Sequence, residues 1–199
     1  MTGAGLTDRV AGAAELRALG ESVRALLRRA PAEAAWGPLC ADIGVSGLGI
    51  PERYGGVGGG LAELAVVGEE LGAALSRCPM LGSVVLAGQA VLAAADEATR
   101  QRLLPLVTRG DTAALAWAGP DGRWEPAAPA CRHDGARLHG EAHYVLDGEA
   151  HYVLDGADAS LLIVAAAGPD GVGLFEVDPA RVERSRTEAM DQSRPLATV

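Results

Sequence analysis

The sequence predicts an α+β fold, with an N-terminal α-helical domain over residues 1–111 followed by an antiparallel β domain over residues 112–199. Three observations lead there. Up to about Gly110, apolar residues recur every three to four positions, the period of a helix. From Asp111 onward the period falls to two, the period of a strand. No GxGxxG follows a strand, which argues against a doubly wound dinucleotide fold.

Leu16, Leu19, Val23, Leu26 and Leu27 give one apolar face of a long first helix. Pro31 suits the first turn of a short second helix running through Trp36 towards Cys40. Residues 44–60, rich in glycine and broken by Pro51, form a loop. Helical spacing resumes with Leu61, Leu64, Ala65, Glu69, Leu71 and Leu75, and a fourth segment covers residues 80–95. Asp96 caps a fifth helix over residues 97–108, with Gly110 just past its end. Pro105 is expected to kink that helix or end it early. Strands are expected at residues 112–118, 137–146, 160–166 and 172–177, punctuated by Gly, Pro and Asp clusters.

Composition narrows the partners. A net charge of −9 gives no electrostatic reason to bind nucleic acid or an anionic membrane. All 17 cationic side chains are Arg, so Schiff-base chemistry and a P-loop lysine are both excluded. Cys40, Cys78 and Cys131 are widely spaced and form no CxxC pair, which fits a reducing cytoplasm rather than a disulfide framework. The longest apolar stretches fall short of a bilayer span, and residues 1–9 lack the apolar core of a secretory signal. A cytoplasmic location is expected.

The octapeptide EAHYVLDG occurs twice in succession, at residues 141–148 and 149–156. An even-numbered insertion keeps the strand alternation in phase. The pair has two readings: a hairpin on an Asp147-Gly148 turn, or a replication slip without function. His133, His139, His143 and His151 all lie between Cys131 and Tyr152, at odd positions. On one straight strand, residues four and twelve apart are separated by about 13 Å and 40 Å, too far for one metal ion. No metal site is expected. Ser46, Ser83 and Ser160 lack a nucleophile-elbow context, Glu69 and Glu70 read as a solvated or interhelical face, and Cys40 and Cys78 read as small hydrophobes.

Five segments, in order, resemble those of the acyl-CoA dehydrogenase family. GVSGLGIPERYGGVGGG at residues 44–60 looks like that family's loop between N-terminal helices, and EELG follows at residues 69–72. DEATRQRLLPLVTRGD at 96–111 resembles its "L-P-x-L-x-x-G" element. LAWAGPDGRW at 115–124 takes the place of its "T-E-P" strand end, and GEAHYVLDGADASLLIVAA at 148–166 resembles a strand pair.

The resemblance implies an FAD-dependent α,β-desaturation of an acyl-CoA or other acyl thioester, with a hydride passing to flavin N5. It implies that the flavin faces the strand end Leu115, Trp117 and Ala118, with Trp124 beyond Pro120. The aromatic flanking the ring would be Tyr152, or Tyr144 if the first copy takes the family register; Leu154 or Leu146 would fill the position beside it. No catalytic residue is assigned, because the resemblance places the base in a C-terminal helical bundle. Residues 190–199 resemble the last part of the middle domain, so the expected fold is one truncated before that bundle. A homo- or hetero-oligomer with a family subunit is expected. Three departures stand out: Ala118-Gly119 replaces Thr-Glu, Ala150 or Ala142 replaces a lysine, and Arg123-Trp124 replaces a glycine-serine turn. They favour an alternative, a non-catalytic partner subunit or remnant without tight FAD binding.

Overall fold

A computed structural model describes residues 11–30, 34–123, 125–146, 160–188, 190 and 196–199. The chain divides into two compact units, Met1–Gly110 and Asp111–Val199. Within the first, α1 (Ala13–Arg29) packs against α3 (Leu61–Ala73). The stripe foreseen in α1 is the one used, for Val23 and Leu26 are buried and Leu16, Leu19 and Leu27 half-buried. A Cβ on Gly20 would lie 3.2 Å from Val66, so the glycine lets the two helices approach closely. Beside it Glu70, almost fully buried, forms a two-pronged ion pair with Arg24, one contact being Nε to Oε2 at 2.8 Å. Of the two acids read as a helix face, Glu70 is interhelical and Glu69 is exposed.

The stripe expected on α3 needs correction at both ends. Leu61 is 64% exposed and Leu75 73%, while Val67 and Glu70 take the inward positions. The short α2 (Trp36–Pro38) continues as a wider π-type turn over Leu39–Ile43; Pro31 lies outside the described residues. The fourth segment is helical as expected. It also begins with π-type turns, Leu81–Gly88, before α4 (Gln89–Ala94).

In α5 (Glu97–Thr108), Asp96 accepts from Thr99 N–H at 2.7 Å and Gly110 sits at φ +96° just beyond the end. The helix runs past Pro105 instead of ending early. Proline removes the donor for the Gln101 carbonyl, but Gln101 is exposed and water can serve that group.

The glycine-rich loop is folded on itself. Gly49 N–H donates to Gly58 O at 3.0 Å, Gly58 N–H to Ile50 O at 3.1 Å and Val57 N–H to Gly47 O at 3.1 Å. Tyr54 is buried, with its hydroxyl on Glu97 at 2.7 Å, and Ser46 donates to Thr108 O at 2.7 Å. These bonds tie the loop to α5.

In the second unit, β5 (Leu161–Gly168) is a continuous apolar run at the centre of a five-stranded sheet. One edge of β5 carries β6 (Gly171–Val177), antiparallel. The other carries β1 (Ala113–Ala116) along its first half and β2 (Cys131–His133) along its second, both parallel to it. β3 (Leu138–His139) completes the sheet beside β2. A second sheet joins β4 (Val145–Leu146), β8 (Leu196–Thr198) and β7 (Ser185–Thr187).

The class is α+β as expected, but the larger sheet is mixed rather than antiparallel. The long connections from β1 and β2 to β5 permit parallel pairing, which a tight hairpin cannot. The strand expected over residues 137–146 is also broken. Gly140 at φ +136° and Tyr144 at φ +56° turn the chain between β3 and β4. The alternation therefore fails. Ala142 and Val145 are buried, while Tyr144 is 42% exposed.

Candidate functional site

The described site residues meet at the C-terminal end of β1. Leu115 pairs with Ile163 of β5 and is half-buried. Beyond the strand, Trp117 O accepts from Ala130 N–H at 2.9 Å, and Ala118 O from His143 N–H at 2.8 Å. Ala118 is buried. A turn follows, closed by Gly122 N–H to Gly119 O at 3.0 Å. Tyr144 covers it: the hydroxyl donates to Pro120 O at 3.0 Å, and a Cβ on Gly122 would lie 3.2 Å from the ring.

Four of the expected residues, Leu115, Trp117, Ala118 and Tyr144, thus come from two separated segments and belong to one corner of the unit. Trp124, Tyr152 and Leu154 lie outside the described residues, as does the Asp147-Gly148 turn. Leu146 is half-buried in β4, paired with Leu196.

Ala116, between Leu115 and Trp117, lines a cavity of about 600 Å³. Strand alternation directs Leu115 and Trp117 to the opposite face. The cavity lining includes the apolar Val164 and Val177 and the polar His139, Glu141 and Arg184. Of these, sequence reasoning named only His139. Glu141 and Arg184 carry no local signal, because they come from connecting segments more than forty residues apart.

The three described histidines have acid or aromatic neighbours. His143 Nε2 lies 2.8 Å from Glu141, His139 Nε2 lies 3.2 Å from Asp134, and the His133 ring packs 4.8 Å from Phe175. Asp134 accepts backbone N–H bonds from Ala136 and Arg137 at 2.9 and 2.8 Å. Those bonds, with His139, hold its carboxyl down from the ordinary 3.8 to about 2. Burial pushes the Cys131 and Cys40 thiols up, and both are poor nucleophiles for it.

A helical unit followed by a mixed-sheet unit is a fold that this chain shares with one class of protein. The comparisons name it. The sequence profile of the acyl-CoA dehydrogenase N-terminal domain matches residues 13–111. The acyl-CoA dehydrogenase IpdE2 of Mycobacterium tuberculosis is 51% identical over 63 residues, 32% of this chain and 20% of the relative. IpdE2 of Mycolicibacterium smegmatis is 42% identical over 85 residues, 40% of this chain and 26% of the relative.

A solved steroid ACAD, the Tcur3481-Tcur3483 variant, is 30% identical at a TM-score of 0.70, covering 93% of this chain and 54% of that one. Glutaryl-CoA dehydrogenase from Mycobacterium smegmatis, at 19% identity and a TM-score of 0.75, shares the fold over 94% of this chain and 52% of its own. The chain belongs to the acyl-CoA dehydrogenase family. It spans about half the length of these solved structures. Among the described residues no helix is long and apolar enough to cross a membrane.

Proposed function

We propose that this chain supplies the N-terminal and middle domains, residues 1–111 and 112–199, of an FAD-dependent acyl-CoA dehydrogenase-type oxidoreductase. One observation carries the reading: in a chain of this family, Leu115, Trp117, Ala118 and Tyr144 gather at one strand end. FAD, when bound, supplies the hydride acceptor for α,β-desaturation of an acyl thioester. Two solved structures with the same fold have FAD or FADH2 in the bound state, at 17% and 18% identity.

The carbonyls of Trp117 and Ala118 are already bonded within the unit, so the strand end offers the Ala118 backbone N–H as a donor. Trp117 offers an aromatic face, and Tyr144 fixes the turn beneath Pro120. In the family pattern a hydroxyl stands where Ala118 is, and one neutral hydrogen bond is worth about 1 kcal/mol, or roughly fivefold in affinity. No described residue is proposed as the base; the family places it in a C-terminal helical bundle.

The test is FAD titration followed by flavin fluorescence. Ala118→Thr should tighten binding about fivefold, and Trp117→Ala should weaken it.

The Ala118-Gly119 pair favours a second reading, a non-catalytic subunit that pairs with a complete family member. Tcur3481-Tcur3483 and the ChsE4-ChsE5 complex from Mycobacterium tuberculosis are two-component assemblies of this fold. A chain that takes up no FAD, alone or with such a subunit present, yet still co-purifies with it, would overturn the first reading and support the second.

A further inference from the structure

We propose that the cavity beside Ala116 binds a small amphipathic carboxylate, with its acid group on Arg184 and its alkyl chain on the valines of the lining. The volume of about 600 Å³ lies within the range of small-molecule pockets, roughly 300–1,000 Å³. The sequence makes the room. Ala116 and Ala142, both in the buried core of the β unit, reach the cavity with one methyl group each, where a branched side chain would occupy it. Val164, Val177 and Val182 add apolar surface.

Hydrogen-bond accounting among the polar lining groups singles out the guanidinium. His139 has Asp134 at 3.2 Å, and Glu141 has the His143 imidazole at 2.8 Å. The Thr198 hydroxyl lies 3.3 Å from that of Thr187 and 3.4 Å from His143 Nδ1. Glu183 and Ser185 are exposed, so water serves them. Arg184 is half-buried, and its Nη1 is buried without a hydrogen-bond partner among the described residues. A buried donor left unbonded is destabilising, and each such group calls for an acceptor.

A carboxylate is the acceptor that suits this donor, because its two oxygens match the planar fork of a guanidinium. The acids of the lining do not reverse the choice. Glu141 already faces His143, and the field of Glu183 is screened by solvent. One guanidinium beside two carboxylates disfavours a polyanion such as a nucleotide phosphate. The valines take an alkyl chain, each buried methylene adding about 0.8 kcal/mol. The free acid, not its neutral thioester carbonyl, carries the matching charge.

The test is calorimetric titration of the full chain with octanoate, with octanol and octylamine alongside. Octanoate should bind at least about tenfold more tightly than octanol, the worth of a hydrogen bond to a charged group. Arg184→Gln should abolish that preference, and Arg184→Lys should restore part of it. Val182→Phe, which adds bulk to the lining from a half-buried position, should weaken octanoate and octanol alike. Thermal melts give a second measurement: with Nη1 unbonded in the protein, Arg184→Gln should not lower the melting temperature of the ligand-free chain. A lowered value would make Arg184 a brace of the fold and overturn the proposal. It is equally overturned if octylamine binds best, since the acids then govern the site. Octanoate binding that is unchanged in Arg184→Gln or in Val182→Phe, or is absent at millimolar concentration, also overturns it. None of these readouts depends on flavin, so this proposal and the FAD reading fail separately.

Discussion

Two glycines of similar appearance in the sequence have opposite roles. A Cβ on Gly56 would fall 1.9 Å from Ile50 O, inside the folded loop, whereas one on Gly68 would meet nothing within 4 Å. Gly56→Ala should destabilise the helical unit by about 3 kcal/mol or more, since backbone has to move. Gly68→Ala, within α3, should stabilise it by about 0.5–1 kcal/mol. Thermal melts of the two variants, expected to shift in opposite directions, check both. Asp134 gives a pH prediction. Its carboxyl is ionised more readily folded than unfolded, so its contribution is complete above about pH 4 and lost as pH falls through about 2. The gap in urea midpoint between the parent and Asp134→Ala should be full at pH 7 and close towards pH 2; a constant gap would contradict the assignment.

The helices are built by stripes that the sequence shows and by close approaches that it does not. Leu104 is fully buried in α5, so Leu104→Ala should cost about 2–5 kcal/mol in chemical denaturation. The neighbouring Pro105 did not stop the helix, because its missing donor affects only the carbonyl of Gln101, an exposed residue. Strands were legible where burial is simple. The strands expected at residues 160–166 and 172–177 are β5 and β6; β6 alternates as expected, whereas β5 is buried at six successive positions. β2, β7 and β8 span three residues each and carry too little pattern to be found alone. The break between β3 and β4 also escaped notice. Tyr144 in the left-handed region is a conformation the residue type disfavours, held by contacts to Pro120 and Gly122.

At the scale of the whole molecule, the net charge of −9 and the absence of lysine describe an acidic surface whose cations are all guanidinium groups. The chain should pass a heparin column unretained at low salt and be least soluble near its isoelectric point of about 4.9. Retention at low salt would show a basic patch that net charge conceals. Of the candidate site, the strand end was legible through its order among family-like segments. The cavity beside it was not, because Ala116, Val164 and Val177 come from three separate strands and Arg184 from the segment before β7, so they give no shared motif.

The sequence by itself determined the order of helices before strands, the cap at Asp96, the apolar face of α1 and the family, all of which rest on local periodicity or on neighbouring residues. Tertiary structure alone decided the parallel pairing of β1 and β2 with β5, the inward turn of Glu70 towards Arg24, and the bonds that join Ala142 to Val199, His143 to Ala118 and Tyr144 to Pro120. These depend on contacts between residues dozens of positions apart. Their energies appear only once the chain has closed the intervening loops, and no local pattern records them.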